Sequence, residues 1–220
     1  GCPSGATTTS GLAKNGHQVR VVTAPPYYPA WAIQSGYSST SYVREVVDGV
    51  DVIRCPLWVP RQPGGLKRLV HLASFAVSSI PALLSALWWR PAVVFVVEPP
   101  LFCAPASWVV SRLSGAKAWL HVQDYEVDAA FDLGLLKGAA VRRFVSRCER
   151  WLMRRFDRVS TISGKMLERA LSKGVLESKS RLFPNWVDVS HIQPLQQVSP
   201  YRQELGISSG AVVALYSGNM

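Results

Sequence analysis

Residues 118–132 read AWLHVQDYEVDAAFD, a short apolar run that turns abruptly polar at His121, Gln123, Asp124 and Glu126. Continuous apolar runs of this length mark strands buried on both faces, as in parallel sheets. Open α/β sheets take their ligands outside the carboxyl ends of such strands. A histidine and carboxylates delivered there suit hydrogen bonding to a polyhydroxylated ligand, and an imidazole exchanges protons near neutral pH.

Strand and helix alternate on both sides of this stretch. Ala92–Glu98 (AVVFVVE) is a second apolar strand, followed by Pro99-Pro100, a predicted helix from about Leu101 to Leu113, and Gly115 as its stop. Leu12–Thr23 reads as a helix end, a Gly16 stop and a strand carrying Val19, Val21 and Val22. This is half of a βαβ unit, its preceding strand and loop missing or reduced to GCPSGATTT. Downstream come a basic helix over Lys137–Arg158, a strand over Arg158–Ile162, a helix opened by Ser163-Gly164 and a last strand, Arg181–Phe183. Ser163 has the chemistry of an N-cap, and the backbone N–H groups behind it suit an anion. The succession predicts an α/β fold with a Rossmann-like parallel sheet flanked by helices. Asp48-Gly49, between Tyr42–Val47 and Val50–Cys55, adds a β-hairpin insertion. Residues 1–198 are expected to form the first domain. From 199, a short helix over Tyr201–Gly206 and an apolar strand over Ala211–Tyr216, entering Ser217-Gly218-Asn219, open a second.

With 48% hydrophobic residues in 220, the chain has ample material for a packed core. A net charge of +10 points to a polyanionic partner, whether nucleic acid, an anionic membrane or a phosphorylated ligand. Cys2, Cys55, Cys103 and Cys148 are far apart, so neither a zinc knuckle nor a disulfide framework is suggested, which suits a reducing, cytoplasmic compartment. GCPSGATTTSG has no basic and apolar signal regions, the first residue is not Met, and the sequence ends at SGNM in an apparent loop, so a fragment is expected.

Two segments bear on partners. Leu66–Trp89 holds the nearly uncharged run LVHLASFAVSSIPALLSALWW, close in length to a membrane span. His71, Pro81 and four serines argue against lipid on all sides, leaving a long helix partly buried against the sheet and able to touch a membrane. In the basic helix, Val141, Phe144, Val145, Cys148, Leu152 and Phe156 recur at helical spacing, with arginines on the other faces. Such a helix lies on an anionic bilayer or is a solvated surface. Ala24–Trp31 (APPYYPAW) is a proline-fixed loop whose tyrosines either stack on a sugar or lipid head group or pack on themselves.

No G-x-G-x-x-G follows a strand, and neither a P-loop nor a G-x-S-x-G elbow is present. His121 with Asp124 supplies two potential metal ligands without a third at workable spacing, and Asp128 and Asp132 read as helix-surface charges. His121 is open to a structural or a functional reading, and Glu98, ending the neighbouring strand, would face the same crevice.

The order VRVVTAPPYYPAW, VVFVVEPPL, WLHVQDYEVDAAFDLGLL, ERWLMRRFDRVSTISGKM, LFPNWVD and LYSGNM resembles, from about Leu12 to Met220, the amino-terminal half of bacterial glycosyltransferases of family 4, in their colanic-acid-type branch. The resemblance implies a GT-B architecture, with two Rossmann-like domains facing across a cleft. It implies transfer of a hexose from a nucleotide diphosphate sugar to a lipid-linked exopolysaccharide or cell-surface glycan, with retention of configuration and no metal or other cofactor. The partners it implies are the nucleotide sugar, the lipid-linked saccharide acceptor and an anionic membrane surface at the inner face of the cytoplasmic membrane, with no nucleic acid. By similarity His121 contacts the transferred sugar with Asp124 beside it, and Tyr27, Tyr28, Glu98 and Glu126 lie toward the acceptor. Gly5, Ser163, Gly218 and Asn219 lie toward the donor. The glycine-containing loop after the first strand survives as Ser4-Gly5-Ala6, and the nucleotide-sugar half lies beyond Met220, so the fragment alone is expected to be inactive. A non-catalytic basic module docking on membrane or nucleic acid, and a GT-B epimerase or phosphorylase, are the competing readings.

Overall fold

The structure, a computed structural model, describes residues 3–62, 64–98, 101–125, 138–185, 197–208 and 210–214, and for residues 3–7, 98 and 101 the backbone alone. The chain divides into two compact units, Gly1–Asn185 and Trp186–Met220.

The first unit begins with α1 (Pro3–Lys14) and β1 (Arg20–Thr23). Gly16, at φ 83°, ends α1: its N–H reaches the Ala13 carbonyl, and the His17 N–H the Leu12 carbonyl. Ser4-Gly5-Ala6, expected as the remnant of a loop, is helical. The hairpin β2 (Val43–Val47) and β3 (Val50–Arg54) turns through Asp48 and Gly49, both at positive φ, as a primed turn demands. β3 pairs antiparallel with β2 and parallel with β1, giving the order β1-β3-β2.

The chain then runs through α2 (Gly65–Leu84) and α3 (Ala86–Trp89) to β4 (Val93–Glu98). A 3-10 turn, Leu101–Cys103, leads into α4 (Ala104–Ser114), which stops at Gly115 with φ 75°. β5 (Lys117–Val122), α5 (Ala139–Arg155), β6 (Arg158–Thr161), α6 (Gly164–Ser172) and β7 (Ser180–Leu182) complete the unit. These four strands form a wholly parallel sheet in the order β4-β5-β6-β7. The single sheet expected from the sequence is thus two hydrogen-bonded groups among the described residues, with no ladder between β1 and β4.

Side-chain alternation fixes where the core lies. Ala118, Leu120 and Val122 of β5, with Val96 and Val159, point to one face and meet Leu152, Met153, Phe156 and Ala170 from the covering helices. The opposite face carries Phe95, Trp119, His121 and Phe183. Where α5 and α6 meet, the buried Lys173 ammonium and Glu149 carboxylate are 2.5 Å apart.

In the second unit, α7 (Pro200–Glu204) occupies the predicted short helix. Of the strand expected over Ala211–Tyr216, the part Ala211–Ala214 has no ladder partner among the described residues, and the rest lies outside them.

Candidate functional site at the carboxyl ends of the parallel strands

Parallel register brings several loops to one end of the sheet. Glu98 is aligned with Val122, and Val122 with Thr161, so the segments leaving β4, β5 and β6 emerge side by side. The first delivers the Glu98 position, the second Gln123 and Asp124, and the third Ser163. Ser163 is the N-cap of α6, its hydroxyl accepting from the Met166 N–H at 3.3 Å, in the role the sequence assigns to it.

His121 lies one residue inside this edge and is buried. Its ring is stacked on Phe95 with centroids 5.6 Å apart and meets Phe183 edge-on at 5.3 Å. Nδ1 is 2.9 Å from Ser160 Oγ, and Trp119 Nε1 donates to that same oxygen at 2.9 Å. Trp119 Nε1 and His121 Nδ1 thus converge on one hydroxyl, which fixes the place of the imidazole ring. Burial pulls the His121 pKa below the ordinary histidine range, so the neutral ring is favoured. The strand end therefore holds a fixed imidazole whose neutral form is favoured, a group able to hydrogen-bond a sugar hydroxyl.

Asp124 is exposed and makes no hydrogen bond or ion pair among the described residues. Tyr125 turns away, its hydroxyl donating to the Met166 carbonyl at 2.8 Å. Tyr27 belongs to a separate aromatic group: its ring lies 4.8 Å from His71 and 5.6 Å from Trp31, with His71 Nδ1 2.6 Å from the Trp58 carbonyl oxygen. Tyr28 beside it is exposed. Gly5 sits in the first turn of α1, remote in sequence from the strand ends. Glu126, Asp128, Asp132, Gly218 and Asn219 lie outside the described residues. Among the described residues no three His, Cys, Asp or Glu side chains gather as a metal-ligand group.

Phe95, Trp119, Ser160 and Phe183 were not among the candidates. Trp119 stands at i−2 from His121 on the same strand face, a signal available from the period-2 alternation. Ser160 and Phe183 become neighbours only through strand pairing. Two surface clefts lie away from His121. One, about 250 Å³, runs between α5 and α6 and is cationic, with Arg142, Arg150 and Arg169 over the Glu149–Lys173 pair. The other, about 620 Å³, is bounded by β1, the hairpin and Trp89.

A parallel sheet that gathers hydrogen-bonding side chains at its carboxyl edge defines a Rossmann-like ligand-binding domain. The pattern of the glycosyl transferase 4-like domain matches residues 6–186, and the chain belongs to this family. It is 45% identical over 214 residues to WcaI of Escherichia coli (strain K12), a glycosyl transferase whose name places it in colanic acid biosynthesis. That match takes in 95% of this chain and 52% of the relative, so the chain spans about half the length of the curated relative.

Proposed function

We propose that the full-length protein is a retaining GT-B hexosyltransferase that moves a sugar from a nucleotide diphosphate donor to a lipid-linked glycan acceptor at the inner face of the cytoplasmic membrane. The observation carrying this reading is the buried His121 imidazole, held by Ser160 at the carboxyl end of β5 in a chain of the glycosyl transferase 4-like family. His121 would bind the transferred sugar, with Asp124 beside it. Tyr27, Tyr28, Glu98 and Glu126 would face the acceptor. Ser163 and its helix terminus, with Gly5, Gly218 and Asn219, would approach the donor, and residues 199–220 would open the donor-binding domain. Fixed positive charge on the departing diphosphate and a positioned acceptor would supply the rate, with no cofactor beyond the donor substrate.

The test is sugar transfer by the full-length protein from a panel of nucleotide sugars to lipid-linked acceptors in membranes. His121→Ala is expected to lower turnover at least a hundredfold while circular dichroism and the melting transition show a folded chain. A folded His121→Ala protein with near-wild-type turnover would remove His121 from the site. Consumption of a nucleotide sugar with no acceptor present would favour an epimerase.

A further inference from the structure

The helix α2 is inverted relative to the amphipathic helix of a soluble domain. Its buried residues are His71, Ser79 and Ala82. Beyond Lys67 and Arg68 in its first turn, its outward residues are apolar: Leu66 is 75% exposed and Val77 66%, with Val70, Ile80 and Leu84 also exposed, and the row continues through α3 to Trp88 at 83%. At 3.6 residues per turn these six positions fall within about 80° of arc and run for about 33 Å, with the buried side chains on the opposite side.

This orientation is fixed by hydrogen bonds. Besides the bond from His71 to Trp58, Ser78 Oγ donates to the Pro56 carbonyl at 2.6 Å, and Ser74 Oγ accepts from the Trp58 N–H at 3.1 Å. Turning the stripe inward would strand all of these groups. α2 also contacts β1 and α4. Although Gly65–Trp89 is long and apolar enough to cross a bilayer, a helix tied along one side to its own domain lies in the plane of a membrane instead.

The charge around the stripe selects the occupant. No acidic residue occurs between Asp51 and Glu98. Arg61, Lys67, Arg68 and Arg90 are exposed, and none makes an ion pair among the described residues. Cations thus flank both ends of an apolar row that finishes in an outward tryptophan, the arrangement of a helix seated at a lipid interface. We infer that the α2–α3 stripe docks flat on an anionic phospholipid surface. This rests on the membrane location proposed above and adds the surface and orientation by which the domain is held.

The experiment is co-sedimentation of the full-length protein with vesicles of phosphatidylcholine containing phosphatidylglycerol, comparing wild type with Val77→Glu/Leu84→Glu and with Lys67→Glu/Arg68→Glu. The first double variant is expected to lose binding at least tenfold, with its melting transition retained because both positions are exposed. The second is expected to lose the preference for phosphatidylglycerol and the sensitivity to salt. If wild type binds and the Val77→Glu/Leu84→Glu variant binds equally, the stripe is not the docking surface, though the membrane location stands. If wild type does not bind, both readings fall. Resistance to alkaline carbonate extraction would overturn the flat orientation. A Trp88 signal, taken against Trp88→Phe, that is already shielded from acrylamide before vesicles are added would give the stripe to a protein partner and overturn the inference.

Discussion

His121 Nδ1 lies 2.9 Å from Ser160 Oγ across the β5–β6 pair, and this contact sets the tilt of the imidazole. Ser160→Ala removes that partner and leaves a buried ring nitrogen unsatisfied, which costs about 1–3 kcal/mol. The expected outcome is a lowered urea midpoint together with a fall in kcat of the full-length protein that is larger than the fall in apparent sugar affinity. A purely structural role would move the midpoint alone, so the kcat-to-KM split checks the assignment.

Burial also gives His121 a stability signature. Its folded-state pKa is depressed, so in acid the unfolded chain binds the proton more readily than the folded one. The contribution is therefore intact above the unfolded histidine value of about 6.5 and is lost as pH falls below it toward the lower folded value. Denaturation of the chain between pH 7.5 and 5 is expected to show stability falling with pH, and His121→Gln is expected to flatten that slope. An unchanged slope would mean that His121 is not the titrating group.

Glu149 and Lys173 are both buried, and their charges meet at 2.5 Å between α5 and α6. Removing one partner takes from the other the buried opposite charge that it meets at 2.5 Å. Glu149→Leu and Lys173→Met are each expected to cost about 3–5 kcal/mol, whereas the Glu149→Leu/Lys173→Met double variant recovers most of the loss. A double-mutant cycle by chemical denaturation reads the coupling directly, and additive losses would show that the pair is not coupled.

Local signals of the fold were legible because they act within a few residues. The β4 and β5 runs, the Ser163 cap, the glycine stops at Gly16 and Gly115 and the Asp48-Gly49 hairpin all stand as read. What depends on pairing was not. Ser160 is 39 positions from His121, and no periodicity reveals that β6 lies beside β5. The separation of β1 from β4 is equally non-local. For α2 a long helix only partly buried against the sheet was legible from its apolar run, His71 and its serines, whereas the groups those side chains bind, on Pro56 and Trp58, depend on tertiary packing. The half of the site assigned to Glu126, Gly218 and Asn219 rests on resemblance, since those positions lie outside the described residues.

The last prediction concerns the stop of α6. Gly174, at φ 88°, donates to the Leu171 carbonyl and Val175 to the Ala170 carbonyl, the paired bonds of a Schellman motif, with Val175 and Ala170 both buried. A Cβ on Gly174 would overlap the Arg154 guanidinium, whereas one on Gly16, at φ 83° after α1, would meet nothing within 4 Å. Gly16→Ala therefore isolates the left-handed backbone penalty, about 1–2 kcal/mol. Gly174→Ala is expected to cost more, because Arg154 must also leave its place. In an Arg154→Ala background the two alanine substitutions should converge on the same loss. Equal losses in the wild-type background would show that the guanidinium moves aside freely, and a Gly174 penalty that persists without Arg154 would place the strain in the backbone of the motif itself.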